Sequence, residues 1–220
     1  MPAPKALTTE TLIRGMIACR ANARDLIADA DILSERDRHA RAFALLYTAC
    51  EELGKFSVLE IGVRGIFRDK PPQWKRFWQR FRSHDSKSAQ LEVQLLMLAI
   101  SSNDTDDFVG LAERLFSRGL RVRNAALYAD VGHDGTFRQP SEIDFEVPLP
   151  ELRALATYAL AATEQRGKTP EEIEAYLRAT PTFDTLGTAR DMLVRTLERM
   201  RHEGIEEEKV REIISKHMRS

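Results

Sequence analysis

Phe43-Ala44-Leu45-Leu46-Tyr47-Thr48-Ala49-Cys50-Glu51-Glu52-Leu53-Gly54-Lys55-Phe56 is the stretch on which the fold turns. Phe43, Leu46, Tyr47, Cys50, Leu53 and Phe56 recur at spacings of three and four, and Leu59 and Val63 extend the series, which is the period of a helix with one apolar face. Ser34, three residues before Asp37, forms a shortened capping box and predicts the start of this helix. About thirty residues at 1.5 Å each would span roughly 45 Å, enough to be the backbone of a domain. Upstream, Leu12, Ile13, Met16, Ile17, Ala23, Leu26, Ile27 and Ala30 show the same period and predict a helix from Thr9 to Asp31.

Working outward, no proline lies between Lys5 and Lys70 or between Gln73 and Gln139, so the strongest helix breaker is absent from two long stretches. Pro71 and Pro72 mark a break, Gln73 to Arg82 reads as a short helix, and Leu91 to Ile100 as a core helix. Polar residues from Ser101 to Asp104 precede a helix predicted from Asp106 to Tyr128. Gly132 to Pro150 reads as a loop with a short extended piece at Ile143 to Val147. Leu152 to Gln165 returns to helix, Thr169-Pro170-Glu171-Glu172 opens another, and Asp184 to His202 and Glu206 to Met218 follow. The expected fold is an all-α bundle of about four or five core helices with a charged C-terminal helical extension over residues 166–220.

The chain has 220 residues and 25.0 kDa, the size of one domain with an appendage. Lysine plus arginine number 33 against 34 aspartate plus glutamate, so nucleic-acid affinity has to be local rather than global. The longest apolar run, Leu91 to Ile100, is about half of the roughly 20 residues a spanning helix needs, and Met1 to Lys5 leads into no apolar leader core. A cytoplasmic protein without membrane attachment is expected. Cys19 and Cys50, both in apolar periodic segments, read as buried free thiols and exclude a disulfide framework. No glycine-rich phosphate loop occurs, and Glu35 with His39 and Glu198 with His202 are spaced by four rather than the three of a di-iron bundle, so no cofactor and no metal are expected.

Charge is concentrated from Arg64 to Lys87, where eight lysines and arginines face Asp69 and Asp85 for a net of +6. Phe67, Trp74, Phe77, Trp78 and Phe81 interleave with these cations, a pattern that suits a phosphate chain with stackable bases. The spacing of the last four also fits the buried stripe of a short helix. Arg114, Arg118 and Arg121 line one helix face, with Arg123 close by, and need an anionic counterpart. His84 lies among Arg80, Arg82 and Lys87, cations that would favour the neutral imidazole of a general base. Glu51, Glu52 and Lys55 place acids and a base inside an apolar run, so that one of them could point inward, where a charge is kept only if paired or functional.

Ala49-Cys50-Glu51-Glu52-Leu53-Gly54-Lys55, Phe81-Arg82-Ser83-His84-Asp85-Ser86-Lys87 and Arg123-Asn124-Ala125-Ala126-Leu127-Tyr128-Ala129-Asp130, in this order, resemble the AbiV family of abortive-infection proteins, a branch of the HEPN superfamily of helical bundles. The resemblance implies an AbiV-like HEPN domain over residues 8–165. It also implies a metal-independent endoribonuclease toxin acting on host or phage RNA, and a homodimer with a phage or host protein as trigger. The HEPN motif is an arginine, often followed by asparagine, with a histidine four to six residues further on. Arg123-Asn124 fits its opening, whereas Tyr128 stands where the histidine would be and His133 is too far along the chain. Two readings follow. Either His84 supplies the imidazole, with Arg123, Asn124 and Tyr128 completing the catalytic set and Lys87, Arg82, Lys55, Glu52, Arg121 and Asp130 contacting substrate, or the site binds RNA, nucleotide or protein without catalysis. The first reading places His84, Lys87, Arg123, Asn124 and Tyr128 at one site with Glu52 and Lys55 beside it.

Overall fold

The computed structural model describes residues 6–84, 87, 91, 121–131, 135–142 and 148–180. The fold is all-α. Helix α1 runs Thr9–Ser34 and α2 runs His39–Phe67, antiparallel partners joined by a tight turn. The Thr8 hydroxyl caps α1 by accepting from Thr11 N at 3.2 Å. Ser34 ends α1 rather than opening α2: the Leu33 carbonyl accepts from Arg36 N and Arg38 N, and Asp37 takes the left-handed conformation at φ 56°. A short acidic side chain tolerates that conformation, so the Ser34–Asp37 pattern marks a helix stop rather than a start.

Helix α2 is central. Every residue from Ala49 to Gly54 is buried, which a helix achieves only with neighbours on all sides. Helix α3, Trp74–Arg82, packs on α2, helix α4, Leu149–Glu164, on α2 and α1, and helix α5, Pro170–Ala179, on both. Residues 121–127 are also helical. The apolar core has two parts. One joins Phe43, Leu46, Tyr47 and Leu53 of α2 to Ala23 and Ile27 of α1, Leu91, Ala126, and Leu152 and Leu155 of α4. The other joins Leu12, Ile13 and Met16 of α1 to Phe56, Leu59 and Val63 of α2, Phe77 of α3, and Ile173 and Leu177 of α5.

Two-residue strands pair antiparallel, β1, Asp130–Val131, just before the stretch from Gly132 to Pro150 that reads as loop and β2, Phe137–Arg138, inside it, and a 3₁₀ turn follows at Pro140–Glu142. Pro170 starts α5 as its sequence predicts. The Thr169 hydroxyl accepts from Glu172 N at 3.2 Å, while the Glu172 carboxylate accepts from Lys168 N at 2.6 Å, a reciprocal cap. The turn between α4 and α5 bends at Gly167, φ 113°. Arg20 of α1 reaches into it, donating to the carbonyls of Thr163, Gly167 and Lys168. The chain divides into compact units at Met1–Ala179 and Thr180–Ser220. The helices expected at Asp184 to His202 and Glu206 to Met218, the extended piece at Ile143 to Val147, Arg114, Arg118 and His133 lie outside the described residues.

Candidate functional site

Glu51 and Glu52 sit side by side on the central helix, both buried, so neither carboxylate can rely on water. Gly54, one turn on, creates the site's geometry. A Cβ there would lie 2.2 Å from the Lys87 carbonyl oxygen, so only glycine lets the backbone near Lys87 settle on α2. That close approach brings the segment after α3 against the carboxylates.

Glu51 is the hub. Its Oε1 lies 2.6 Å from His84 Nδ1, and its Oε2 accepts from Arg123 Nη1 at 3.1 Å. Lys87 Nζ stands 4.0 Å from the same Oε2. The Glu51 side chain is 5% exposed and the His84 side chain 43%, so a sealed carboxylate holds an imidazole that opens to solvent. With Glu51 ionised, Nδ1 carries the hydrogen, and in the neutral imidazole Nε2 is then the accepting nitrogen. Arg123 also donates from Nε and Nη2 to Asn124 Oδ1, at 3.2 and 2.8 Å, which fixes the plane of its guanidinium. Burial lowers the Lys87 ammonium from its ordinary value, against the pull of Glu51.

Glu52 forms a second, adjoining centre. It pairs with Lys55, whose ammonium lies 5.9 Å from the Phe81 ring centroid. The Cys19 thiol of α1 hydrogen-bonds Glu52 and is pushed up to about 12, first by burial and then by the Glu52 charge. It is a neutral donor rather than a nucleophile.

The structure therefore brings His84, Lys87 and Arg123 onto one carboxylate, with Asn124 on Arg123 and the Glu52–Lys55 pair on the same helix. Tyr128 follows one turn after Asn124, its NH on the Asn124 carbonyl at 3.1 Å, and is 66% exposed. Arg82 stacks on Trp78 instead of joining the cluster, with 5.6 Å from guanidinium to ring. Arg121 is exposed, and Asp130 lies in β1. One expectation is reversed: His84 reads from sequence as surrounded by cations, but its ionic contact is the Glu51 carboxylate, because α2 supplies an acid that the neighbours of His84 along the chain do not. Sequence reasoning passed over Glu51 as a site residue. The available signal was the pair of adjacent carboxylates inside the apolar run, of which only Glu52 was carried into the expected site.

Fold and site define an all-α domain that gathers an imidazole, a guanidinium and an ammonium around one buried helix carboxylate. The AbiV family model of the HEPN superfamily matches residues 11–160, a span that contains every one of these groups, and the chain belongs to that family, as an abortive-infection HEPN-domain protein. No curated protein and no solved structure matches it. No described helix is long and apolar enough to cross a membrane.

Proposed function

We propose that the protein is a metal-independent endoribonuclease that cuts host or phage RNA during abortive infection and so arrests growth or translation. The observation that carries this reading is the bridge of Glu51 between His84 Nδ1, at 2.6 Å, and Arg123 Nη1, at 3.1 Å. A base oriented by a carboxylate, with a phosphate-binding guanidinium beside it, is the minimum equipment for transesterification of RNA.

His84 Nε2 takes the proton of a ribose 2′-hydroxyl, and the 2′-oxygen attacks the adjacent phosphorus. The bond from phosphorus to the 5′-oxygen breaks, and that oxygen leaves with a proton from solvent. A 2′,3′-cyclic phosphate and a 5′-hydroxyl end result. Arg123, which among the described residues leaves one N–H on each terminal nitrogen without an acceptor, meets the phosphoryl oxygens as they gain charge. The exposed Tyr128 phenol donates a hydrogen bond to the same centre. Lys87 is too buried to meet substrate and balances the Glu51 charge instead.

The reading includes a homodimer, supported by the exposed apolar side chains Leu127, Tyr128, Val131 and Phe137, which follow Arg123 and Asn124 along the chain. The experiment is cleavage of bulk RNA and tRNA by purified protein in the presence of a chelator. Fragments ending in 2′,3′-cyclic phosphate are expected. RNA bound but left intact would instead favour a binding module.

A further inference from the structure

Helix α3 is built as two faces. At 100° per residue, Trp74, Phe77, Trp78 and Phe81 occupy an arc of about 100°. Phe77 is buried and the other three pack against the same core cluster. The remaining arc holds Arg82, Lys75, Gln79, Arg76 and Arg80, all exposed. No carboxylate lies between Asp69 and Asp85. The buried acids of α2 already have cations of their own: Glu51 holds Arg123, with Lys87 close by, Glu52 holds Lys55 and Glu60 holds Arg64. The cations of α3 therefore face solvent with no acid of their own element to balance them.

Trp78 lies at the border of the two faces. Its ring is half-buried, in edge contact with Phe77 and Phe81, and Arg82 lies over it at 5.6 Å. A nucleic-acid base stacks on an indole more strongly than an exposed guanidinium does, so a base can replace Arg82 and free it for a phosphate. The helix ends at Arg82, two residues before His84, so a strand lying along it runs into the imidazole.

We propose that the solvent face of α3 is the track on which single-stranded RNA docks, its phosphates on Lys75, Arg76, Arg80 and Arg82 and one base on Trp78. This rests on RNA being the ligand of the His84 site, and it names the form of RNA and the residues that hold it. A single strand fits because only unpaired bases offer a face to Trp78.

The test uses the full-length chain and its two tryptophans. Trp74→Phe leaves Trp78 as the sole tryptophan, excited selectively over the tyrosines, and the probe is a 2′-O-methyl oligoadenylate, which has no 2′-hydroxyl to react. The single strand should quench Trp78 emission, while a 2′-O-methyl duplex of equal length should not. Arg76→Gln with Arg80→Gln, both on the solvent face and so harmless to folding, should weaken binding about tenfold. The slope of log affinity against log salt should fall by about 1.4, at roughly 0.7 per phosphate contact. Equal quenching by duplex, no quenching by either probe, or unchanged affinity and slope in the double variant would overturn the proposal. Cleavage of RNA by the parent, measured alongside, separates the two failures. Cleavage unaffected by the α3 changes would sink the track alone, whereas binding along α3 without any cleavage would sink the nuclease reading alone.

Discussion

Cys19 and Cys50 are both buried, and burial pushes both thiols from 9.0 up to about 12, with Glu52 and Glu51 as the next causes. Folded, the thiols keep their protons where the unfolded chain has lost them. Their contribution to stability is therefore intact below pH 9 and is lost as pH rises from there toward 12. Burial of Lys87 acts with the opposite sign as pH approaches its ordinary 10.5, so total stability mixes the two. Comparing parent with Cys50→Ala isolates one thiol. The stability gap between them in urea should narrow by about 1.4 kcal/mol between pH 8 and pH 10, the linkage value for one thiol. A constant gap would mean that Cys50 ionises as freely folded as unfolded. The same residue-level physics governs Glu51. A carboxylate this buried is tolerated because His84, Arg123 and Lys87 surround it, and it in turn holds those three together.

Helix α2 carries the site only because Gly54 leaves room for the backbone near Lys87. Gly54→Ala would put a methyl group 2.2 Å from the Lys87 carbonyl oxygen, and that oxygen cannot yield as a flexible side chain would. The variant should lose about 1–3 kcal/mol of stability by overpacking and most of its RNA cleavage, because the segment bearing His84 has to lift from Glu51. Urea midpoints and initial rates check both, and a stable, active variant would show that the close approach is dispensable. The elements themselves were legible in the sequence, since α1, α2, α3 and α5 follow apolar periodicity, proline positions and the Thr169–Glu172 cap. The boundary between α1 and α2 was misread at Ser34. A hydroxyl before an acid looks like a helix start, and only the Asp37 backbone, at φ 56°, reveals a stop. The hub was legible only in part: the resemblance put His84, Lys87 and Arg123 at one site, but not the Glu51 carboxylate that joins them. His84 and Arg123 are near Glu51 only after α3 and residues 121–127 pack on α2, and no spacing along the chain encodes that meeting. The buried Arg20, which holds the turn after α4 from 147 residues away, was hidden in the same way.

At the scale of the whole molecule, the first compact unit closes at Ala179 because α5 seats Ile173 and Leu177 in the core. Two buried aliphatic side chains are worth about 3–6 kcal/mol together. A chain ended after Ala179 should unfold cooperatively, and one ended after Gln165 should be less stable than that by about this amount, as read from urea midpoints. Equal midpoints would show α5 to be peripheral. The larger claim is that this HEPN bundle exists to hold one imidazole on one carboxylate beside an arginine, so that RNA is cut without a metal. The most direct test is the rate of chelator-treated RNA cleavage by the parent and by His84→Ala, with melting temperature and RNA affinity measured on both. The account predicts 2′,3′-cyclic ends from the parent and a rate about a hundredfold or more lower in the variant, at nearly unchanged fold and affinity. A His84→Ala protein as ribonucleolytic as its parent would contradict it.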